Sequence, residues 1–264
     1  MPSNFVAKGG QGYEAAMGRF SRRLAVPFLE FAGVPSGGSV LDAGCGTGSL
    51  TLALAEHRGL AAIEALDFDE GFVDALRGRI ADPRVKAGKG DVCALPFADR
   101  EFDGAYSLLV LHFVSDGPRA VAEMRRVLRP GATAAATVWA HGGLPSWRMF
   151  WDVVRALEPG GATGQSNPAK RPLTGEGELR AAFESAGFGD VADTALAIDM
   201  DYASFDDFWH AMVYGQGTIG AFVDALPAAR RDRLQDAVRA AYLAGGADGP
   251  RAYRSTAWAV RGTA

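Results

Sequence analysis

Apolar positions along the chain change their period in a regular order. From Tyr13 to Phe31, the residues Met17, Phe20, Leu24, Pro27, Phe28 and Phe31 recur at spacings of three and four, which predicts an amphipathic helix broken near Pro27. A short apolar run, Val40 to Ala43, is followed by a glycine cluster and then by Leu50, Leu52 and Leu54, a pattern of strand, tight loop and helix with the helix starting near Thr47. The unit repeats. Ala61 to Phe68 reads as a strand, Glu70 to Ile80 as a helix with Phe72, Val73, Leu76 and Ile80 on one face, Val85 to Val92 as a weaker strand, and Phe102 to Val110 as a buried one. Ser115 or Asp116 caps the next helix, Pro118 suits its first turn, Pro130-Gly131 stops it after Leu128, and Thr133 to Trp139 is another buried strand.

Strands alternating with helices in this way predict a doubly wound α/β fold, a mostly parallel sheet with helices on both faces. Beyond Ala140 the order loosens: Trp147 to Leu157 and Glu176 to Ser185 have helical spacing, and Gly160 to Ala169 reads as a loop. Val191 to Tyr202 and Ala252 to Val260 supply two more strands that complete a seven-stranded sheet, and the helices between them, Phe205 to Tyr214 and Ala228 to Leu243, form a helical cap. Residues 1–38, 39–141 and 142–264 are thus expected to be parts of one compact domain.

Composition narrows the partners. With 27 basic against 31 acidic side chains in 264 residues, net charge −4, the chain has no basic surplus to neutralise a run of phosphates, so nucleic acid is not expected as a partner. Two cysteines, Cys45 and Cys93, are too few for a disulfide framework or a four-cysteine metal site, and no metal is expected. No apolar run approaches the roughly 18 residues of a membrane span, and Met1 to Gly12 lacks the apolar core of a secretory signal. A cytoplasmic protein, monomeric or homodimeric, is expected. Glycine stands out, with 34 residues, about twice the usual ~7%.

Three of those glycines have an evident use. Val40-Leu41-Asp42-Ala43-Gly44-Cys45-Gly46-Thr47-Gly48 lies where a buried strand turns into a helix, the place where glycines let backbone approach a ligand and open sheets bind one. A nicotinamide dinucleotide fingerprint needs Gly or Ala at position 49, and Ser49 stands there, which weakens an oxidoreductase reading. Asp67 follows Gly48 by 19 residues, close to the separation of about 20 expected of an acid that binds a ribose diol. Phe68, Val92 and Leu108 would give an adenine its apolar walls.

The loop's G-x-G-x-G, preceded by an acid, resembles the first motif of the class I S-adenosylmethionine-dependent methyltransferases. Leu66-Asp67-Phe68-Asp69, Gly90-Asp91-Val92, Leu95-Pro96-Phe97, Phe102-Asp103, Leu111-His112 and Val127-Leu128-Arg129-Pro130-Gly131 follow in the order seen in the ubiquinone/menaquinone-methyltransferase-like branch. The resemblance covers about one hundred residues, 40 to 140. It implies a Rossmann-like core over residues 39–141 that binds S-adenosylmethionine and releases S-adenosylhomocysteine. It further implies that Asp42, Gly44, Cys45 and Gly46 form the binding loop, that Asp67 grips the ribose, and that Asp91 accepts from the adenine amino group. Residues 1–38 then resemble a lid in which Tyr13 and Arg22, with Arg19 as runner-up, close over the methionine end, the guanidinium pairing its carboxylate.

Methyl transfer from a sulfonium is an in-line displacement, so the main demand is to hold an acceptor atom about 3 Å from the methyl carbon. Candidates near the acceptor are Tyr13, His112 and His141, and from the cap Trp209, His210 and Tyr214. His112 is expected mainly to pack, and no general base is nominated. The cap aromatics Trp147, Phe150, Trp151, Phe205, Phe208 and Phe222 are expected to be chiefly core, with some lining an apolar acceptor pocket. The expected activity is methylation of a small organic molecule; a non-catalytic, regulatory cofactor-binding module is the alternative.

Overall fold

The computed structural model describes residues 13–157, 171–214 and 218–264. One π-wound turn, α1 (Glu14–Gly18), runs into α2 (Arg19–Ala32). Then follow β1 (Ser39–Ala43), α3 (Ser49–Ala55), β2 (Ala62–Asp67), α4 (Glu70–Arg77), β3 (Val85–Lys89), β4 (Phe102–Leu108), α5 (Gly117–Arg126) and β5 (Leu128–Trp139). The C-terminal half contributes α6 (Pro145–Leu157), α7 (Glu178–Ser185), β6 (Gly189–Tyr202), α8 (Phe205–Tyr214), α9 (Thr218–Asp224), α10 (Ala228–Leu243) and β7 (Arg251–Thr263).

The seven strands form one sheet in the order β3-β2-β1-β4-β5-β7-β6. Strands β1 to β5 pair in parallel, and only β7 runs antiparallel to its neighbours β5 and β6. Alternation along the strands sorts the core into two layers. Val40, Ile63, Tyr106 and Ala135 face α2, α3, α8 and α10. Leu41, Ala105, Ala134 and Ala136 face α5 and α7 on the other side. The chain order reverses at β1, between β2 and β4, which opens a crevice at the carboxyl ends of those strands.

The fold class agrees with the sequence reading, and the boundaries differ where packing outweighs local signals. Pro27 does not break the first helix but lies inside α2, whose residues on both sides of it, Leu24, Ala25, Phe28 and Leu29, are buried. That burial offsets the ~3 kcal/mol an interior proline costs. Pro130-Gly131 does not end α5. The helix stops at Arg126, and Leu128 already pairs in parallel with Phe102, so both residues lie within β5. The helix expected near Thr47 begins at Ser49, because Gly48 takes a left-handed conformation at its start. Asp116 is the cap of α5, its carboxylate accepting from Arg119 N–H at 2.9 Å. The loop expected at Gly160 to Ala169 lies outside the described residues.

Candidate functional site

Two hydrogen bonds fix the glycine loop onto β2: the N–H groups of Gly44 and Cys45 both donate to Leu66 O, at 2.8 and 2.7 Å. Gly44, Gly46 and Gly48 all have positive φ, +87°, +53° and +97°, but for different surroundings. A Cβ on Gly44 would stand 2.4 Å from Val110, and one on Gly48 2.4 Å from Leu76, so at these positions the protein itself closes over the backbone. Nothing lies within 4 Å of the corresponding point on Gly46. Only Gly46 faces open space, and it lines a cavity of about 120 Å³ at the carboxyl ends of β1, β2 and β4.

Asp67 ends β2 at the edge of that cavity. Its Oδ2 accepts from Gly46 N–H at 2.8 Å and its Oδ1 from Asp69 N–H at 3.0 Å. Burial raises its pKa, against the effect of those backbone donors. Each oxygen keeps a lone pair for a further donor. Asp91 also lines the cavity, and its Oδ1 accepts from Cys93 N–H at 2.8 Å, so it combines the turn role with a place at the site. Val92 and Leu108 are buried, and Phe68, nearly half exposed at 48%, completes an apolar wall. Cys45 is buried in the loop with its thiol pKa pushed well up by burial, which fits packing and not nucleophilic chemistry. Ser49 lines the same cavity with a buried Oγ that has no hydrogen-bond partner.

Two residues expected at the cofactor lie off the cavity wall. Asp42 is fully buried beneath the loop and absent from the cavity wall, its Oδ2 accepting from the Thr51 hydroxyl at 2.6 Å and its Oδ1 unpartnered. Burial pushes its pKa up to about 7, with the Asp67 charge adding to the rise. Arg22, expected to pair a cofactor carboxylate, pairs instead with Glu14 and lies off the cavity wall. Arg19 pairs with Asp207 at 3.0 Å. The π turn folds Glu14 back over Gly18, where it also meets Arg79 at 2.7 Å and accepts from the Thr47 hydroxyl. Burial raises the pKa of Glu14, but these hydrogen bonds and cations outweigh it and the net shift is downward.

A second cavity, about 340 Å³, adjoins the first at Tyr13, Leu109 and Phe113, within the roughly 300–1,000 Å³ common for small-molecule sites. His112 and His141 both line it. His112 is buried with its Nδ1 unpartnered, and its pKa is pulled down to about 3 by burial, with the Arg171 cation adding, so the ring is neutral. His141 is exposed, and its N–H donates to Thr174 O at 2.8 Å. Tyr13 hydrogen-bonds Ser21 at 3.0 Å and meets the Phe72 ring at 5.6 Å, and burial pushes its hydroxyl pKa up to about 12. Trp147 and Trp151 line the cavity, whereas Phe150, Phe205, Phe208 and Trp209 belong to the core. His210 is exposed on α8, away from both cavities, and the side chain of Tyr214 lies outside the described part.

Residues 41–136 match the family model of a methyltransferase domain. That stretch contains the glycine loop, Asp67 and Asp91, so residues 41–136 carry a methyltransferase domain similar to those of the class I S-adenosylmethionine-dependent enzymes. The cofactor of this family is S-adenosylmethionine, as the sequence motifs imply. Among curated relatives, the chain is 33% identical over 147 residues to a malonyl-acyl-carrier-protein O-methyltransferase of Pseudescherichia vulneris, covering 56% of this chain and 57% of that one. It is 37% identical over 131 residues to a 2-phytyl-1,4-naphtoquinone methyltransferase of Thermosynechococcus vestitus, covering 49% and 57%. The chain thus spans little more than half the length of these relatives.

Solved structures show the same fold. A Haemonchus contortus phosphoethanolamine N-methyltransferase in complex with S-adenosyl-L-methionine aligns with TM-score 0.55 and 16% identity over 91% of this chain and 52% of that one. A (4+2)-cyclase, SpnF, aligns with TM-score 0.55 and 20% identity over 100% and 87%. No helix among the described residues is long and apolar enough to cross a membrane.

The structure thus gathers Tyr13, Gly44, Cys45, Gly46, Asp67, Phe68, Asp91, Val92 and Leu108 around one cavity. Sequence reasoning missed Ser21, Phe72, Val110 and Phe113 on the same wall. Phe72 was visible only as one member of a helix's apolar face, and Ser21 only as a polar residue eight positions after Tyr13. Arg148 and Arg171, on the wall of the larger cavity, carried no signal at all.

Proposed function

We propose that the chain transfers a methyl group from S-adenosylmethionine to a small organic molecule held in the larger cavity. The observation that carries this reading is the junction of two cavities: one bounded by the glycine loop and two carboxylates, the other mostly apolar, meeting at three side chains. The smaller cavity suits the cofactor, since the open face of Gly46, the lone pairs of Asp67 and the orphaned Ser49 hydroxyl all await a polar occupant. In this proposal Asp67 accepts from the ribose hydroxyls and Asp91 from the adenine amino group, with Phe68, Val92 and Leu108 as the walls. Asp42 acts from below, holding Thr51 and the start of α3. Bound cofactor supplies an electrophilic methyl group.

The chain's own residues then orient the acceptor and exclude water. Tyr13, Leu109 and Phe113, shared by both cavities, bound the space across which the methyl passes. Tyr13 keeps its proton at neutral pH and so acts as a hydrogen-bonding wall, not as a base. His112 stays neutral. Similarity to a 2-phytyl-1,4-naphtoquinone methyltransferase, and the aromatic lining of Trp147 and Trp151, favour an acceptor with an apolar, ring-bearing body, consistent with the quinone-methyltransferase-like branch.

The alternative, a cofactor-binding module without methyl transfer, keeps a place because a (4+2)-cyclase shares the fold over the whole chain. Formation of S-adenosylhomocysteine across an acceptor library separates the two. Turnover with any member supports transfer; cofactor binding without turnover across the library favours the module; and a melting temperature raised by NAD but not by S-adenosylmethionine would overturn both.

A further inference from the structure

The larger cavity carries a charge opposite to that of the chain around it. Net charge is −4, yet the wall includes Arg148, Arg155 and Arg171 and not one Asp or Glu among the described residues. Arg155 is satisfied by Asp152 on its own helix. Arg171 is not. It lies only partly accessible, stacked 4.2 Å over the Phe113 ring, and no carboxylate among the described residues pairs with it. Burial alone lowers its pKa, the mark of a cation desolvated without a counter-charge.

That cation is held in place. The segment beginning at Arg171 is fixed to the sheet by Thr174, whose carbonyl accepts from His141 N–H at 2.8 Å and from Trp258 Nε1 at 3.1 Å. The Thr174 hydroxyl donates back to Arg171 O at 2.7 Å. Phe113, under the guanidinium, also packs against His112, at 4.1 Å between ring centroids. Its ring also borders the smaller cavity. A guanidinium stays charged at any physiological pH, and leaving one half-buried and unpaired is costly unless a ligand supplies the anion. Arg148, exposed and without an ion-pair partner among the described residues, stands on the same wall one position from Trp147.

We propose that the methyl acceptor is a carboxylic acid with an apolar, ring-bearing body, whose carboxylate is taken by the Arg171 guanidinium while its body lies against Trp147 and Trp151. The inference rests on the methyltransferase reading above and names its substrate class. A planar fork of N–H donors matches a carboxylate bidentately, which a neutral amide of the same shape does not reproduce.

The test uses the full chain and a matched pair of probes, 2-naphthoate and its neutral counterpart 2-naphthamide, titrated calorimetrically with and without S-adenosylhomocysteine. Naphthoate is expected to bind about 10- to 100-fold more tightly than the amide, the range of a charge-assisted hydrogen-bonded pair. Arg171→Gln should reduce that preference to about threefold or less, Arg171→Lys should keep part of it as a point charge, and neither should alter S-adenosylhomocysteine affinity. Equal binding of the two probes, no naphthoate binding at millimolar concentration, or a preference that survives Arg171→Gln would overturn the inference. Failure of S-adenosylhomocysteine to bind would instead strike the cofactor reading, and the titration without it still reports the acid preference.

Discussion

Asp42 gives the most direct physical test of the site's construction. The carboxyl is fully buried, with one hydrogen bond from Thr51 and one oxygen unpartnered, and burial moves its pKa from 3.8 to about 7. Below about pH 4 the group is protonated in both folded and unfolded chains. Between about pH 4 and about pH 7 the unfolded chain ionises while the native carboxyl keeps its proton, so the native state binds more protons and stability falls as pH rises. Above about pH 7 both forms are ionised and the loss is complete. At about 1.4 kcal/mol per pH unit the whole effect is on the order of 4 kcal/mol. Asp42→Asn removes this titration while an amide oxygen still accepts from Thr51. Its two N–H donors add a penalty, but one that does not change with pH. Urea denaturation of both proteins between about pH 4 and about pH 8 should therefore show the variant gaining roughly 4 kcal/mol on the wild type over the range. Carboxyls remote from Asp42 titrate alike in both and cancel, and Asp67, whose charge contributes to the Asp42 shift less than burial does, is the one neighbour whose own titration changes with the substitution. Parallel stability curves would refute the argument and place the native pKa near its ordinary value.

The remaining predictions separate parts of the site. Gly46→Ala should cost only ~1 kcal/mol of stability for its positive φ yet weaken S-adenosylhomocysteine binding about tenfold or more by intruding on the cavity. Gly44→Ala should instead lower the melting temperature, because its Cβ meets Val110 at 2.4 Å; differential scanning calorimetry beside a binding isotherm distinguishes the two. Asp67→Asn should weaken S-adenosylhomocysteine binding by roughly 10- to 100-fold, the value of hydrogen bonds to a charged acceptor, and an unchanged Kd would show that Asp67 serves the loop alone. Tyr106→Phe should lose about 1 kcal/mol, because its hydroxyl donates to Gly33 O at 2.8 Å and ties the end of α2 to β4; chemical denaturation measures it.

The parallel half of the sheet and its loop were legible because their signals are local. Buried runs such as Val40 to Ala43, the glycine spacing that follows and the acids after β2 and β3 all lie within a few residues of the backbone they shape. What could not be read depends on contacts between distant segments. The pairing of Arg22 with Glu14 depends on a π turn, and whether Pro27 breaks a helix is decided by the burial of its neighbours. The acidic residue of the glycine motif was read as touching the ligand, yet it is sealed under the loop, because the apolar run that marks a central strand also buries every side chain within it. Arg171 was invisible for the opposite reason. An arginine beside an irregular segment looks like any solvated cation until the fold sets it against Phe113.

The nucleotide-side and acceptor-side cavities share only Tyr13, Leu109 and Phe113 among the described residues. Everything else that shapes the larger one comes from α1, the turn after β4, α6, α8, α9 and the segments around Ala140 and Arg171; of these, α1 reaches the glycine loop through Glu14, which accepts from the Thr47 hydroxyl, and α6, α8, α9 and the Arg171 segment do not border the nucleotide-side cavity. Substrate range can therefore drift, or be redesigned, by exchanging this outer layer while the sulfonium donor keeps its seat. One consequence for engineering is concrete: a library confined to Trp147, Arg148, Trp151, Arg171 and Met212 samples new acceptors without touching donor affinity, whereas the three shared side chains are the ones to leave alone.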